Sequence, residues 1–239
     1  MKPQHVELAR SLVERYRHLA FLVPTYKLIP TVFFHSFYLV LTQLGRLGFE
    51  VDLFMVDLTL VPRARNKLAH DLVQAQRKTG GRFKGALWLD TDQTFTTEDV
   101  LLLLQHYDQD PGIRILSGRY VTRDLASPHV CAYRRQEGGH RYHALDPETS
   151  GVCEVDAVGF GFLLMDPQIL VEMYDAHGMH QFQLPAVGPK EEGALLGEDF
   201  FWCEGVRALG HSVYLDSDVT VGHYGVVIDD AYLRWHNQQ

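Results

Sequence analysis

The chain has 239 residues, 46% apolar and 22% charged, with a formal net charge of −8 and a pI of about 5.9. That length supports one large domain, or two tightly fused halves, around a sizeable core, and the acidic balance argues against a general nucleic-acid binder, which carries a basic face. Cys131, Cys153 and Cys203 are too few and too scattered for a disulfide framework or a zinc motif, so a reducing, cytoplasmic setting is expected.

Residues 6–17 place Val6, Ala9, Leu12, Val13 and Tyr16 on one helical stripe, and their charge and polarity exclude a signal peptide. Leu19-Ala20-Phe21-Leu22-Val23 reads as a buried strand stopped by Pro24. Residues 31–47 form a helix ending at Gly48; the apolar run around it carries Pro30, His35, Ser36, Thr42 and Gln43, so no transmembrane segment is expected. Residues 49–56 read as a second strand. Residues 62–78 read as a helix with Pro62 in its first turn and Gly80-Gly81 at its end. A third strand, 86–89, precedes a helix over 97–107, and a fourth strand covers 113–117. The basic residues Arg63, Arg65 and Lys67, and again Arg77, Lys78, Arg82 and Lys84, are compatible with solvated helix faces.

The second half differs. Residues 130–133 and 140–145 suggest a hairpin turning at Gly138-Gly139. Strands follow over 152–157 and 160–165, then a short helix over 167–174. Residues 179–197 are rich in Gly, Pro and charge and read as a mobile loop. A helix over 200–209, entered through Glu198-Asp199, ends at Gly210. Short strands at 213–215 and 219–221 lead to His223. The alternation predicts an α/β chain with a mostly parallel central sheet and helices on both faces, plus a small antiparallel region. Ligands of such sheets bind at the carboxyl ends of the strands.

The chemistry-bearing residues fall at those ends. Asp90 and Asp92 follow the third strand and can turn toward one divalent cation, which can in turn hold a diphosphate; aspartates also cap turns and helices there. Glu198 and Asp199 suit the positive end of a helix dipole, and one of them can serve as a general base. His223, between small residues, can offer a ring nitrogen to a cation; two Asp and one His suit manganese. Arg65 and Asn66 at a helix start can grip a phosphate or a nucleobase. Gly159 and Gly161 allow close backbone approach to a ligand, or mark a bulge.

In this order and spacing the residues resemble the metal-dependent nucleotide-sugar glycosyltransferases of the A-type (GT-A) fold, with a family-2-like arrangement. The resemblance runs from about residue 18 to about 225, through Leu22-Val23-Pro24-Thr25, Arg65-Asn66, Leu89-Asp90-Thr91-Asp92, Gly159-Phe160-Gly161, Gly197-Glu198-Asp199 and Val221-Gly222-His223. It implies a single Rossmann-like GT-A domain over 1–239, with a nucleotide-sugar-binding half at about 18–120 and an acceptor-side half at about 121–225. It implies that Asp92 and His223 contact Mn²⁺ or Mg²⁺. Asp90 would join them as a metal contact, or touch ribose or a metal-bound water. Pro24, Thr25, Asp57 and Arg65 would line the nucleotide pocket. Many members carry an acidic, serine-containing turn after the second strand; here the stretch is Val56-Asp57-Leu58-Thr59. Asp199 would deprotonate the acceptor hydroxyl if the enzyme inverts, Glu198 would orient acceptor or donor, and Trp202 would stack on a sugar ring. The donor would be a UDP- or GDP-sugar, in a hexosyltransferase-type reaction. The acceptor is a glycan, a lipid-linked sugar, a protein or a modified nucleobase. Loop 179–197 would close over the donor.

Two rivals remain. A nucleotidyltransferase acting on a sugar phosphate uses a Gly-rich loop after the first strand, and residues 24–30 contain no glycine. A non-catalytic nucleotide-sugar-binding module has no need of the acidic pair at 198–199.

Overall fold

A computed structural model of the chain describes residues 3–57, 59–124, 126–136, 141–186 and 196–224. In chain order the elements are α1 (Pro3–Tyr16), β1 (His18–Pro24), α2 (Thr31–Leu47), β2 (Glu50–Val56), α3 (Val61–Thr79), β3 (Gly85–Leu89), β4 (Gln93–Thr94), α4 (Thr97–Gln109) and β5 (Ile115–Arg119). Then come β6 (Ala132–Arg135), β7 (Tyr142–Ala144), β8 (Val152–Val155), β9 (Ala157–Val158), β10 (Phe162–Met165), α5 (Pro167–His177), α6 (Glu198–Ala208), β11 (Val213–Thr220) and β12 (Gly222–His223).

The central sheet has seven strands in the order β2-β1-β3-β10-β5-β11-β8. β1 pairs in parallel with β2 and β3, and β5 with β11. β10 runs antiparallel to both β3 and β5, and β8 closes one edge antiparallel to β11. The carboxyl ends of β1, β2, β3, β5 and β11 therefore share one edge, joined by the amino end of β10.

The insertion of β10 modifies the expected parallel succession: a strand from the second half of the sequence sits in the middle of the sheet. Its residues Phe162-Leu163-Leu164-Met165 are all buried. An apolar run on both faces is satisfied only in a strand covered on both sides.

The period-2 alternation of β1 separates two cores. Leu19, Phe21 and Val23 pack with the apolar stripes of α1, α2 and α4. Ala20 and Leu22 pack with those of α3, α5 and α6. Helices thus cover both faces, as the alternation of elements predicts.

Local signals fix the helix ends. α2 stops at Gly48, whose φ of 99° is costly for any side chain. α4 starts at a reciprocal capping box between Thr96 and Asp99. α3 and α6 open at Leu60 and Gly197 with no side-chain cap.

β6 pairs antiparallel with β7 and with β9, giving the small sheet β7-β6-β9. The expected turn at Gly138-Gly139 lies outside the described residues, as do residues 187–195 of the expected lid and residues 225–239. The two short strands expected at 213–215 and 219–221 are one strand, β11, whose pairing with β5 shifts register between Asp216 and Thr220. The ribbon β4–β12 was not expected: two-residue strands carry no periodicity. Among the described residues no helix is long and apolar enough to cross a membrane.

Candidate active site

β3 is buried along its whole length and delivers the chain to Asp90 at the carboxyl edge. The chain turns there, with Gln93 N–H donating to Asp90 O at 3.1 Å, and enters β4. β4 pairs with β12 so that Gln93 opposes His223, and Tyr224 N–H donates to Asp92 O at 2.5 Å. Register, across about half the chain, brings His223 to Asp92. A cavity of about 440 Å³ opens here, lined by Pro24, Thr25, Arg65, Asp90, Asp92, Arg123 and Glu198 among others.

The inner half of the cavity is organised by Arg65, which is only 4% exposed. Its Nη1 donates to Glu198 Oε1 at 2.8 Å, and its Nη2 reaches both oxygens of Asp90 at 3.2 and 3.1 Å. The guanidinium lies 5.0 Å from the centroid of the Phe160 ring. Burial alone disfavours its charge, but Asp90, Glu198 and Asp199 outweigh that and hold it protonated. Arg65 therefore ties β3 to the start of α6 rather than offering a free fork to phosphate, which revises its expected role. Asp90 shows the converse balance. Burial pushes its carboxyl up, Arg65 pulls it down, and Asp92 and Glu198 push it up again, leaving it above the ordinary value.

The outer half belongs to Asp92. One of its oxygens, Oδ2, lies 3.3 Å from His223 Nε2 and 3.1 Å from Arg123 Nη1. The other, Oδ1, is buried with no hydrogen-bond partner among the described residues. Burial pushes this carboxyl up too, but the hydrogen bond and charge of His223, with Arg123, bring it below the usual value. His223 Nδ1 lies 2.7 Å from Val121 O. A carbonyl only accepts, so Nδ1 carries the hydrogen and Nε2 faces Asp92.

Among the described residues no group of three or more His, Cys, Asp or Glu stands gathered around a cation position. The expected trio of Asp90, Asp92 and His223 does not close, because Arg65 engages Asp90. Asp92 and His223 nevertheless have the donor chemistry of a Mn²⁺ or Mg²⁺ site, and the orphaned Asp92 Oδ1 is an unused anionic ligand.

Asp199, in the first turn of α6, is pushed up to about 6, foremost by burial; Glu198 adds to this, while Arg65 and the N–H of Phe200 oppose it. Tyr120, at the end of β5, lies under both halves. Its hydroxyl accepts from Gly161 N–H at 3.0 Å, its ring meets His223 edge-on at 5.5 Å, and Gly161 O accepts from Asp90 N–H at 3.1 Å. A Cβ at Gly159 would stand 2.1 Å from the Tyr120 hydroxyl oxygen, and one at Gly161 2.7 Å from Gln93 Nε2. The glycines of Gly159-Phe160-Gly161 are thus required by the close approach of Tyr120 and Gln93.

Other expected site residues divide. Pro24 and Thr25 line the cavity, with Thr25 N–H donating to Val56 O at 2.8 Å. Asp57 is exposed in an adjoining hollow of about 500 Å³ that shares Thr25 and includes Lys27 and Lys67. Asn66 grips neither phosphate nor base: its side chain donates to Phe182 O at 2.7 Å and accepts from Phe182 N–H at 3.0 Å, pinning the first part of the expected lid. Trp202 is fully buried, 14° from parallel to Phe182 and edge-on to Phe160. It is core, and no sugar ring reaches it, because the apolar face of α6 must be covered.

Arg123 and Tyr120 were not singled out in the sequence. The rule that strand carboxyl ends carry function applies equally to β5, and would have marked Tyr120 to Arg123. Gln93 is fully buried with both amide atoms unpartnered.

No family model matches the chain, and no curated protein matches it. Among solved structures it is similar to A197 from STIV, with a TM-score of 0.55 and 17% identity over 90% of this chain and 87% of that one. This likeness shows a shared fold. Two weaker likenesses are to a glycosyltransferase involved in the glycosylation of the major capsid of PBCV-1 and to the nucleoside-diphosphate-sugar pyrophosphorylase from Vibrio cholerae RC9. The first has a TM-score of 0.36 and 12% identity over 66% of this chain and 65% of that one. The second has a TM-score of 0.38 and 13% identity over 96% and 85%. At those scores neither bears on function.

Proposed function

We propose that the chain is a metal-dependent glycosyltransferase that moves a sugar from a nucleoside-diphosphate sugar to an acceptor hydroxyl. The observation that carries this reading is one open cavity at the strand ends lined by Asp92, with its orphaned anionic Oδ1, by a fixed guanidinium, Arg65, and by Glu198, next to which Asp199, pushed up to about 6, opens α6. Asp92 and His223 would hold a divalent cation. Such an ion, when bound, neutralises charge on a leaving diphosphate.

The chain's own groups supply the rest. The amino end of α3 lines the cavity with neither a side-chain cap nor an acid in its first turn, and so favours phosphate. The adjoining hollow at Asp57 extends from Thr25 and would take the nucleoside. Arg65 holds Glu198 toward the cavity as donor or acceptor arrives. Asp199 is ionised at neutral pH yet close enough to it to accept a hydroxyl proton at its carboxylate, as a general base should. This assignment applies to an inverting reaction; in a retaining one Glu198 or Asp199 would stabilise positive charge on the sugar.

The test is release of nucleoside diphosphate from a panel of UDP- and GDP-sugars, with manganese, magnesium or chelator. The wild-type chain should hydrolyse one donor slowly without acceptor, only with metal, and Asp92→Ala should lose about 10²-fold or more of that rate. No turnover, together with no thermal shift by any nucleotide sugar plus metal, would sink the reading.

A further inference from the structure

Two guanidiniums line the cavity, and they are built differently. Arg65 is 4% exposed, bonded to both Asp90 and Glu198, and cannot leave without stranding them. Arg123 has a side chain 53% exposed, and among the described residues it pairs with Asp92 Oδ2 at 3.1 Å. That is the carboxylate which also faces His223 Nε2 and whose Oδ1 has no partner. A divalent cation on Asp92 would meet the Arg123 charge within a few ångströms. Like charges that close repel, and the half-exposed side chain has solvent into which it can swing. A nucleoside diphosphate brings the anionic oxygens that a planar guanidinium binds in bidentate fashion.

Resting on the transferase reading above, we infer that Arg123 is a diphosphate-binding residue held on Asp92 in the empty cavity. A divalent cation displaces it, and it then clamps the diphosphate of the donor. Metal and nucleotide binding are coupled through this one side chain: the cation frees the guanidinium, and the diphosphate gives it a new partner. The coupling also keeps Asp92 neutralised when no cation is bound.

The experiment is binding, not turnover. Mn²⁺ is titrated alone into wild type, Arg123→Ala, Arg123→Lys and Asp92→Ala, followed by free-ion paramagnetic resonance. UDP and GDP are then titrated at saturating Mn²⁺ by calorimetry, and thermal melting confirms that each variant is folded. Arg123→Ala should bind Mn²⁺ up to about fivefold more tightly, the worth of a half-exposed ion pair. It should bind the nucleoside diphosphate about tenfold or more weakly, as expected for lost charged hydrogen bonds. Arg123→Lys should stay near wild type for Mn²⁺ and fall between the two for nucleotide. Unchanged or weaker Mn²⁺ binding in Arg123→Ala, with wild type still binding through Asp92, overturns the inference and leaves the transferase reading standing. So does unchanged nucleotide affinity. Absence of Mn²⁺ binding by wild type, with or without nucleotide, overturns both.

Discussion

Asp90 and Asp92 are separated only by Thr91, yet the two halves of the cavity treat them oppositely. The inner carboxylate is enclosed with Arg65 and Glu198, and burial leaves its proton affinity above the ordinary value. The outer one is offset by His223 and Arg123 and sits below it. The inner half is a fixed truss, in which Arg65 of α3 engages both Asp90 after β3 and Glu198 of α6. The outer half holds an unpartnered oxygen and an exposed cation, so it can change partners. The turn after β3 thus separates architecture from exchange: one aspartate positions the amino end of α6, and the other, two residues on, is left for a ligand.

The difference can be broken from the inner side first. Arg65→Met keeps the volume but strands Asp90 and Glu198 in the cavity wall. It should cost about 3 kcal/mol in urea unfolding, whereas Arg123→Ala should cost less than about 1 kcal/mol. Adding Asp90→Asn and Glu198→Gln to Arg65→Met removes the stranded charges and should restore part of the loss. Equal effects at Arg65 and Arg123 would show that the two halves are not built differently.

The next largest effect is a slope. The carboxyl of Asp199 is near 6 when folded against an ordinary 3.8. Between those values the folded chain holds more protons than the unfolded one, so the Asp199 contribution falls as pH rises and is lost above about 6. Asp199→Asn should therefore be more stable than the parent at pH 7.5 by roughly 2 kcal/mol, with the two converging near pH 3. Donor turnover should drop in the same variant, and the wild-type rate should climb through a limb near pH 6 if Asp199 is the base. Asp92 slopes the other way. Its folded value is depressed, so its stabilisation is present above the ordinary carboxylate range and lost as pH falls through the folded value. Asp92→Asn should flatten the acid limb of stability, where Asp199→Asn flattens the fall between about 4 and 6.

The layering of helices and the strand ends were legible because they follow from periodicity: Leu19, Phe21 and Val23 alternate with Ala20 and Leu22, and the two sets find different cores. Asp90, Asp92 and Glu198 were legible as candidates at those ends, and they line one cavity. What was not legible depends on register between distant segments. Nothing local in Gln93 or Gly222 announces a two-residue ribbon, yet that ribbon places His223 on Asp92. Asn66 looks like a ligand grip at a helix start, and only the position of Phe182 reveals that both amide groups are already committed. Trp202 follows two acids that invite a sugar-binding interpretation, but one turn further along α6 it is covered by Phe160 and Phe182, which no local signal announces.

Tyr120 is where the two halves meet, and its removal should separate them with the smallest effect. Tyr120→Phe keeps the ring that meets His223 edge-on, but deletes the acceptor of the buried Gly161 N–H. The stranded donor should cost about 1 to 2 kcal/mol. Because Gly161 O accepts from Asp90 N–H, the disturbance should pass to the inner half alone. Mn²⁺ affinity, an outer-half property, should hold at the wild-type value while the melting temperature falls. Gly159→Ala offers the matching perturbation. Its new Cβ would stand 2.1 Å from the hydroxyl oxygen but 3.2 Å from Tyr120 Cζ, so deleting the hydroxyl makes room. The double variant should therefore be less destabilised than the sum of the single ones by about 1 kcal/mol. Strict additivity would show that the glycine yields by backbone movement, and that Tyr120 does not fix the distance between the two halves.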